Sequence, residues 1–135
     1  MNEPVPGPEG QGPAGLLLCR DLIFTSKITG TAKLLGFQVL TAGNSALTLA
    51  MIEQWKPRAV FIDLAAGDLV KPAALMAYKA AAGANTTFIA FGSHVDTSGL
   101  AAAADAGCDL VLPRSKFTAE LPELIKRYLG TEVKS

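Results

Sequence analysis

The run Arg58-Ala-Val-Phe-Ile-Asp63-Leu-Ala-Ala-Gly-Asp68 decides how the chain is read. Its apolar part is too short for a helix, is rich in Val, Ile and Phe, and is bounded by Pro57 and Gly67, the pattern of a strand buried on both faces. That strand ends on a carboxylate. In open parallel sheets ligands and chemistry gather just outside the carboxyl ends of the strands, so Asp63 is a candidate site residue by position rather than by charge alone.

Working outward, 135 residues that are 50% hydrophobic and 18% charged fit one domain with a sizeable core. Twelve basic and twelve acidic residues leave a formal net charge of zero, and the Lys and Arg are dispersed. No nucleic-acid partner is expected from such a field; a protein or a small molecule is. No apolar run approaches the roughly 20 residues that span a bilayer, and no basic region precedes an apolar signal core, so no membrane association and a cytoplasmic location are expected. Cys19 and Cys108 fall inside expected strands without CxxC or His-Cys spacing, which reads as small buried hydrophobes rather than a disulfide or metal pair.

Residues 1–14 (MNEPVPGPEGQGPA) offer almost nothing to bury against the entropy of ordering and read as a flexible tail. A domain over 15–130 and a short tail over 131–135 follow. Within the domain, apolar runs alternate with stretches of helical period. Leu16 to Arg20 (LLLCR) is a first strand, and Thr25 or Ser26 caps a helix reaching Leu35, with Gly36 beyond it. Phe37 to Thr41 is a second strand. Asn44 caps a helix from Ser45 to about Trp55, on which Leu47, Ala50, Met51 and Gln54 recur at helical spacing. After the central strand, Val70 to Ala82 is helical with Pro72 near its first turn, and Gly83 ends it. Thr86 to Phe91 is the fourth strand, Gly92 to Asp96 a loop, and Gly99 to Ala106 a small-residue helix. Asp109 to Leu112 is the fifth strand, running into Pro113-Arg114-Ser115-Lys116. A last helix spans Thr118 to Leu129, where Pro122 is tolerated only in the first turn. Five βα units with short connections predict a doubly wound parallel sheet with right-handed crossovers and helices on both faces.

In this order LLLCRD, PRAVFID, TTFIAFGSHVD and AGCDLVLPRSKF resemble the receiver domain of bacterial two-component response regulators. The resemblance covers residues 15–130 and implies a flavodoxin-like (βα)5 fold with strand order 2-1-3-4-5. It also implies a phosphoryl group passed from a histidine kinase to an aspartate at the end of strand three, where Asp63 stands. The family has an acidic pair after strand one, a Thr or Ser after strand four and a Lys after strand five. Here those positions read Arg20-Asp21, Gly92 followed by Ser93, and Arg114. The strand-five aromatic that couples the family's site to its last helices falls on Val111 or Leu112.

A usual receiver gathers three carboxylates and a Lys, an excess of negative charge that Mg²⁺ neutralises. Asp21 and Asp63 here face Arg20 and Arg114, and an Arg–carboxylate pair at about 4 Å near a surface is attracted by roughly 4 kcal/mol before desolvation. The leading expectation is therefore a stand-alone, degenerate receiver-like module without a cofactor and not an enzyme, working through a protein partner such as a histidine kinase or other signalling protein. The second is a working phosphoacceptor, with Asp21, Asp63 and Ala65 around Mg²⁺. The third is a small-ligand binder at the strand ends, against which stands the lack of GxGxxG or GxxxxGK[ST]. His94, in the loop beside the site, reads as a solvated turn residue or a pH-sensitive contact. The helix around Leu75, Met76 and Tyr78 and the last helix with Tyr128 read as core faces before docking faces. No output domain is expected after the last helix, and a monomer or weak dimer is expected because the Ala-rich Leu100 to Ala104 segment has little to anchor a partner copy.

Overall fold

In the computed structural model, which describes residues 15–130, the run ending at Asp63 is the middle strand of a five-stranded parallel sheet. The strands are β1 (Gly15–Leu18), β2 (Val39–Thr41), β3 (Ala59–Asp63), β4 (Thr87–Gly92) and β5 (Leu110–Pro113), in the order β2-β1-β3-β4-β5. This is the flavodoxin-like doubly wound arrangement. The tails expected over 1–14 and 131–135 lie outside the described residues. Among the described residues no helix is long and apolar enough to cross a membrane.

Alternation along the strands divides the core in two. Leu16, Leu18, Val60, Ile62, Phe88 and Ala90 face one side. There they meet the helices α2 (Ser45–Trp55), α3 (Pro72–Ala82) and α4 (Thr97–Asp105). Leu17, Ala59, Phe61, Ile89 and Phe91 face the other side. That side is covered by α1 (Leu22–Leu34), α5 (Arg114–Ala119) and α6 (Leu121–Leu129). Asp63 shares the parity of Phe61 and so belongs to the α1/α5 side. Leu75 and Tyr78 are buried in α3, and the Tyr78 hydroxyl donates to Leu69 O at 2.7 Å, closing a 3₁₀ turn over Gly67–Val70. Met76 stays 58% exposed.

Several boundaries differ from the sequence reading, two of them for a clear local reason. The first strand stops at Leu18, and α1 begins at Leu22 rather than after Thr25 or Ser26, because the Asp21 carboxylate accepts from Phe24 N at 3.0 Å and is the cap. The expected last helix is two helices: α5 opens at Arg114, directly after Pro113, and ends at Ala119. Pro122 has no N–H to continue α5, so it sits in the first turn of the new helix α6. On α2, capped by Asn44 through Leu47 N, the buried residues are Thr48, Met51 and Ile52, while Leu47 lies outward.

Cys108 precedes β5 instead of lying inside a strand as expected, and it is buried as expected. Burial, reinforced by the Asp109 carboxylate and offset in part by Lys79, pushes its thiol up to about 11 from the ordinary 9.0. The folded chain therefore keeps this proton where the unfolded chain loses it. The contribution to stability is complete below about pH 9 and falls away toward about pH 11, by on the order of 2–3 kcal/mol in full. Urea unfolding at about pH 8 and about pH 10.5 checks this: the native chain should lose more stability between the two than Cys108→Ala does.

Candidate functional site

The site lies at the carboxyl ends of β1, β3, β4 and β5. Asp63, the last residue of β3, is 2% exposed and forms an ion pair with Arg114, whose Nη2 lies 2.8 Å from Oδ1. The same Oδ1 accepts from the backbone N–H of Ala65 at 3.0 Å, as an aspartate does when it closes a turn after its strand. Oδ2 is met by the Cys19 thiol at 3.3 Å. Both carboxylate oxygens thus have donors supplied by the protein itself.

Arg114 reaches Asp63 because Pro113 pairs with Gly92 at the end of the sheet and the chain turns at once into α5. Its guanidinium lies over the Phe24 ring, 5.3 Å from the centroid, and 6.0 Å from that of Phe91. Beneath it Phe91 and Phe117 stack with centroids 4.0 Å apart, and Phe61 meets Phe117 edge-on at 6.0 Å. A guanidinium suits this floor because its faces are weakly hydrated while its edge carries the donors.

Arg20 does not join a carboxylate, contrary to the expected second ion pair. Following Cys19, it leaves by the opposite face, and its guanidinium donates to Ala66 O at 2.9 Å and Gly43 O at 3.4 Å, tying together the loops after β3 and β2. Gly67 accommodates this at φ +66, in the left-handed region that favours glycine. Asp21 is spent on the α1 cap. Gly92 is packed closely: a Cβ there would stand 3.3 Å from the Leu64 side chain. The Ser93 hydroxyl is engaged within its own turn, accepting from Val95 N at 3.3 Å. Of the strand-five residues, Leu112 is buried with the ring cluster, while half-buried Val111 packs on the other side of the sheet.

Cys19 is the residue that the sequence reading placed elsewhere. It is half-buried beside Asp63 rather than a strand-core hydrophobe. Burial raises its thiol above the ordinary range, and the neighbouring carboxylate adds to the shift, so it stands as a neutral S–H donor. The pairing Leu18↔Ile62 carries the signal, since one step further sets Cys19 level with Asp63. Phe24 carries no comparable signal, because its place under Arg114 depends on where α1 begins.

The donor set does not fit the divalent cation that the resemblance implies. The Asp63 oxygens are already met by a guanidinium, an amide and a thiol, Asp21 caps a helix, and a guanidinium stands where the family has its first acid. Among the described residues no group of three His, Cys, Asp or Glu side chains converges to hold a metal.

No family model matches the chain, and no curated protein matches it in sequence. Solved structures match in fold. A CheY-like response regulator receiver domain protein from Methanospirillum hungatei superposes with a TM-score of 0.72 at 18% identity, over 87% of this chain and 93% of that one. The receiver domain of NtrX from Brucella abortus gives 0.72 at 20% identity, over 87% and 99%. The receiver domain of a sensor histidine kinase from Pseudomonas aeruginosa, with a magnesium ion in its active-site cleft, gives 0.69 at 17% identity, over 89% and 100%. The fold is that of response regulator receiver domains.

Removing Arg114 strands a buried carboxylate. A fully buried pair broken on one side costs about 3–5 kcal/mol, and because the guanidinium is 38% exposed the expectation for Arg114→Gln is nearer about 2 kcal/mol. Urea denaturation should show that loss, and the double variant Asp63→Asn with Arg114→Gln should be more stable than Arg114→Gln alone, because no charge is then left unpaired.

Proposed function

We propose that this chain is a receiver-like signalling module that acts by binding another protein and does not accept a phosphoryl group at Asp63. The observation that carries the reading is the state of that carboxylate: 2% exposed, ion-paired with Arg114 and hydrogen-bonded by Ala65 N and Cys19. In-line transfer requires an acceptor oxygen open to the incoming phosphorus and positive charge on the moving oxygens. Here the nearest cation, Arg114, is bonded to the acceptor itself, and an attacking Asp63 would have to give up that ion pair.

The surroundings support the same reading. A receiver's hydroxyl after strand four moves to the phosphoryl group; Gly92 has none, and the Leu64 side chain packs where one would begin. Ser93, the substitute one residue later, holds its own turn. The fold then serves as a rigid platform, and its signal passes by association with a partner rather than by turnover. We extend the proposal to a monomer or weak dimer without a nucleic-acid or membrane partner, on the grounds of balanced charge and the small side chains of α4.

The test is incubation of the purified chain with a small phosphodonor and magnesium, followed by intact-mass spectrometry. The expected result is no phosphoryl adduct on the native chain. An adduct that disappears in Asp63→Asn would overturn the proposal and restore the phosphoacceptor reading.

A further inference from the structure

Beside Arg114 the surface opens into a cavity of about 860 Å³, between the loops after β3 and β4 and the helix α5. That is within the roughly 300–1,000 Å³ typical of small-molecule sites. Its walls combine the apolar side chains of Leu64, Ala65 and Ala119 with the bare backbone of Gly92 and the hydroxyl of Ser115. Neither the ion pair nor the ring cluster fills this space.

Arg114 lines the cavity with donors to spare. A guanidinium carries five N–H groups in a fixed fork. Among the described residues this one makes a single hydrogen bond through them, Nη2 to Asp63, and its Nε is buried without a partner. The side chain is 38% exposed and lines the cavity, so an occupant can be met by its outer Nη donors but not by the buried Nε. The other charged wall residue, Asp96, spends its Oδ1 on capping α4, accepting from Gly99 N at 3.0 Å and from the Ser98 hydroxyl at 3.5 Å.

We infer that this cavity binds a small organic carboxylate with an apolar body, the carboxylate on Arg114 and the body against Leu64, Gly92 and Ala119. A planar carboxylate matches the outer Nη donors of the fork in geometry and charge. The apolar wall calls for a body that a bare inorganic anion lacks. Arg114 then stands between two carboxylates, one from the fold and one from the ligand. The inference goes beyond the protein-binding reading and does not depend on it, since ligand occupancy and phosphoryl labelling are measured on different atoms.

The experiment is an amide NMR titration of the full chain with 2-naphthoate, with 2-naphthamide as the neutral isostere and inorganic phosphate as the anion without a body. Saturable shifts at Ala65, Ser93 and Ser115 are expected for naphthoate, at least about tenfold tighter than for the amide, while phosphate does not saturate. Arg114→Gln should abolish the preference for acid over amide. Because that variant also unpairs Asp63, Ser115→Trp serves as a second one: it fills the cavity, leaves the ion pair, and should weaken naphthoate at least about tenfold in a chain whose other amide positions are unchanged. Equal binding of acid and amide, phosphate binding as tightly as naphthoate, indifference to Ser115→Trp, or no saturable shift at these residues would each overturn the inference.

Discussion

The Arg114 guanidinium on the buried Asp63 carboxylate is the contact on which the rest of the site depends. A carboxylate at the end of a central strand has no water to solvate it, and burying it unpaired would cost several kcal/mol. The chain answers with an ion pair, a backbone amide and a thiol. Each donor is set by the sheet. Cys19 comes from the register of β1 on β3, Ala65 from the turn after β3, and Arg114 from the helix that opens where β5 ends. The rings of Phe24 and Phe91 lie against the guanidinium, and Phe117 stacks on Phe91 behind them, so the pair is fixed by packing as well as by charge.

Three substitutions relative to the receiver pattern act together. A base in place of the first acid, Arg20, serves the loops after β2 and β3. A glycine in place of the hydroxyl, Gly92, lets Leu64 pack against the backbone. An arginine in place of the lysine gives a planar fork that can hold a carboxylate and rest on aromatic rings at once, which a lysine's compact ammonium does not. On the proposed reading, these three substitutions neutralise the site from within instead of letting it receive and bridge a phosphoryl group.

Much of this was legible in the sequence because it follows from short-range rules. The alternating apolar strands, the Asn44 cap and the end of β3 at Asp63 come from pattern and local chemistry alone, and so does a parallel sheet with right-handed crossovers, while the strand order came from the family resemblance. The site was legible as a set of positions, and Arg114 against Asp63 follows from charge at neighbouring strand ends. What escaped were residues with two competing uses. Asp21 could be a metal ligand or a helix cap, and capping it moved the start of α1 by several residues. Arg20 could pair or anchor loops, and the face it leaves by decided that. Cys19 looked like core because the strand was drawn two residues too long. The break at Glu120 lay behind a proline whose constraint was recognised but assigned to one long helix.

On the proposed reading Asp63 belongs to Arg114 and not to a metal. The most direct measurement is a magnesium titration of the labelled chain followed through the amides of Asp63 and Ala65 and the guanidinium signals of Arg114. The Arg114 signals are expected to stay in their ion-paired state, with no saturable change at either amide up to tens of millimolar, on the order of the weakest dedicated divalent sites and beyond. Saturation at low millimolar magnesium, with release of the Arg114 guanidinium, would contradict it.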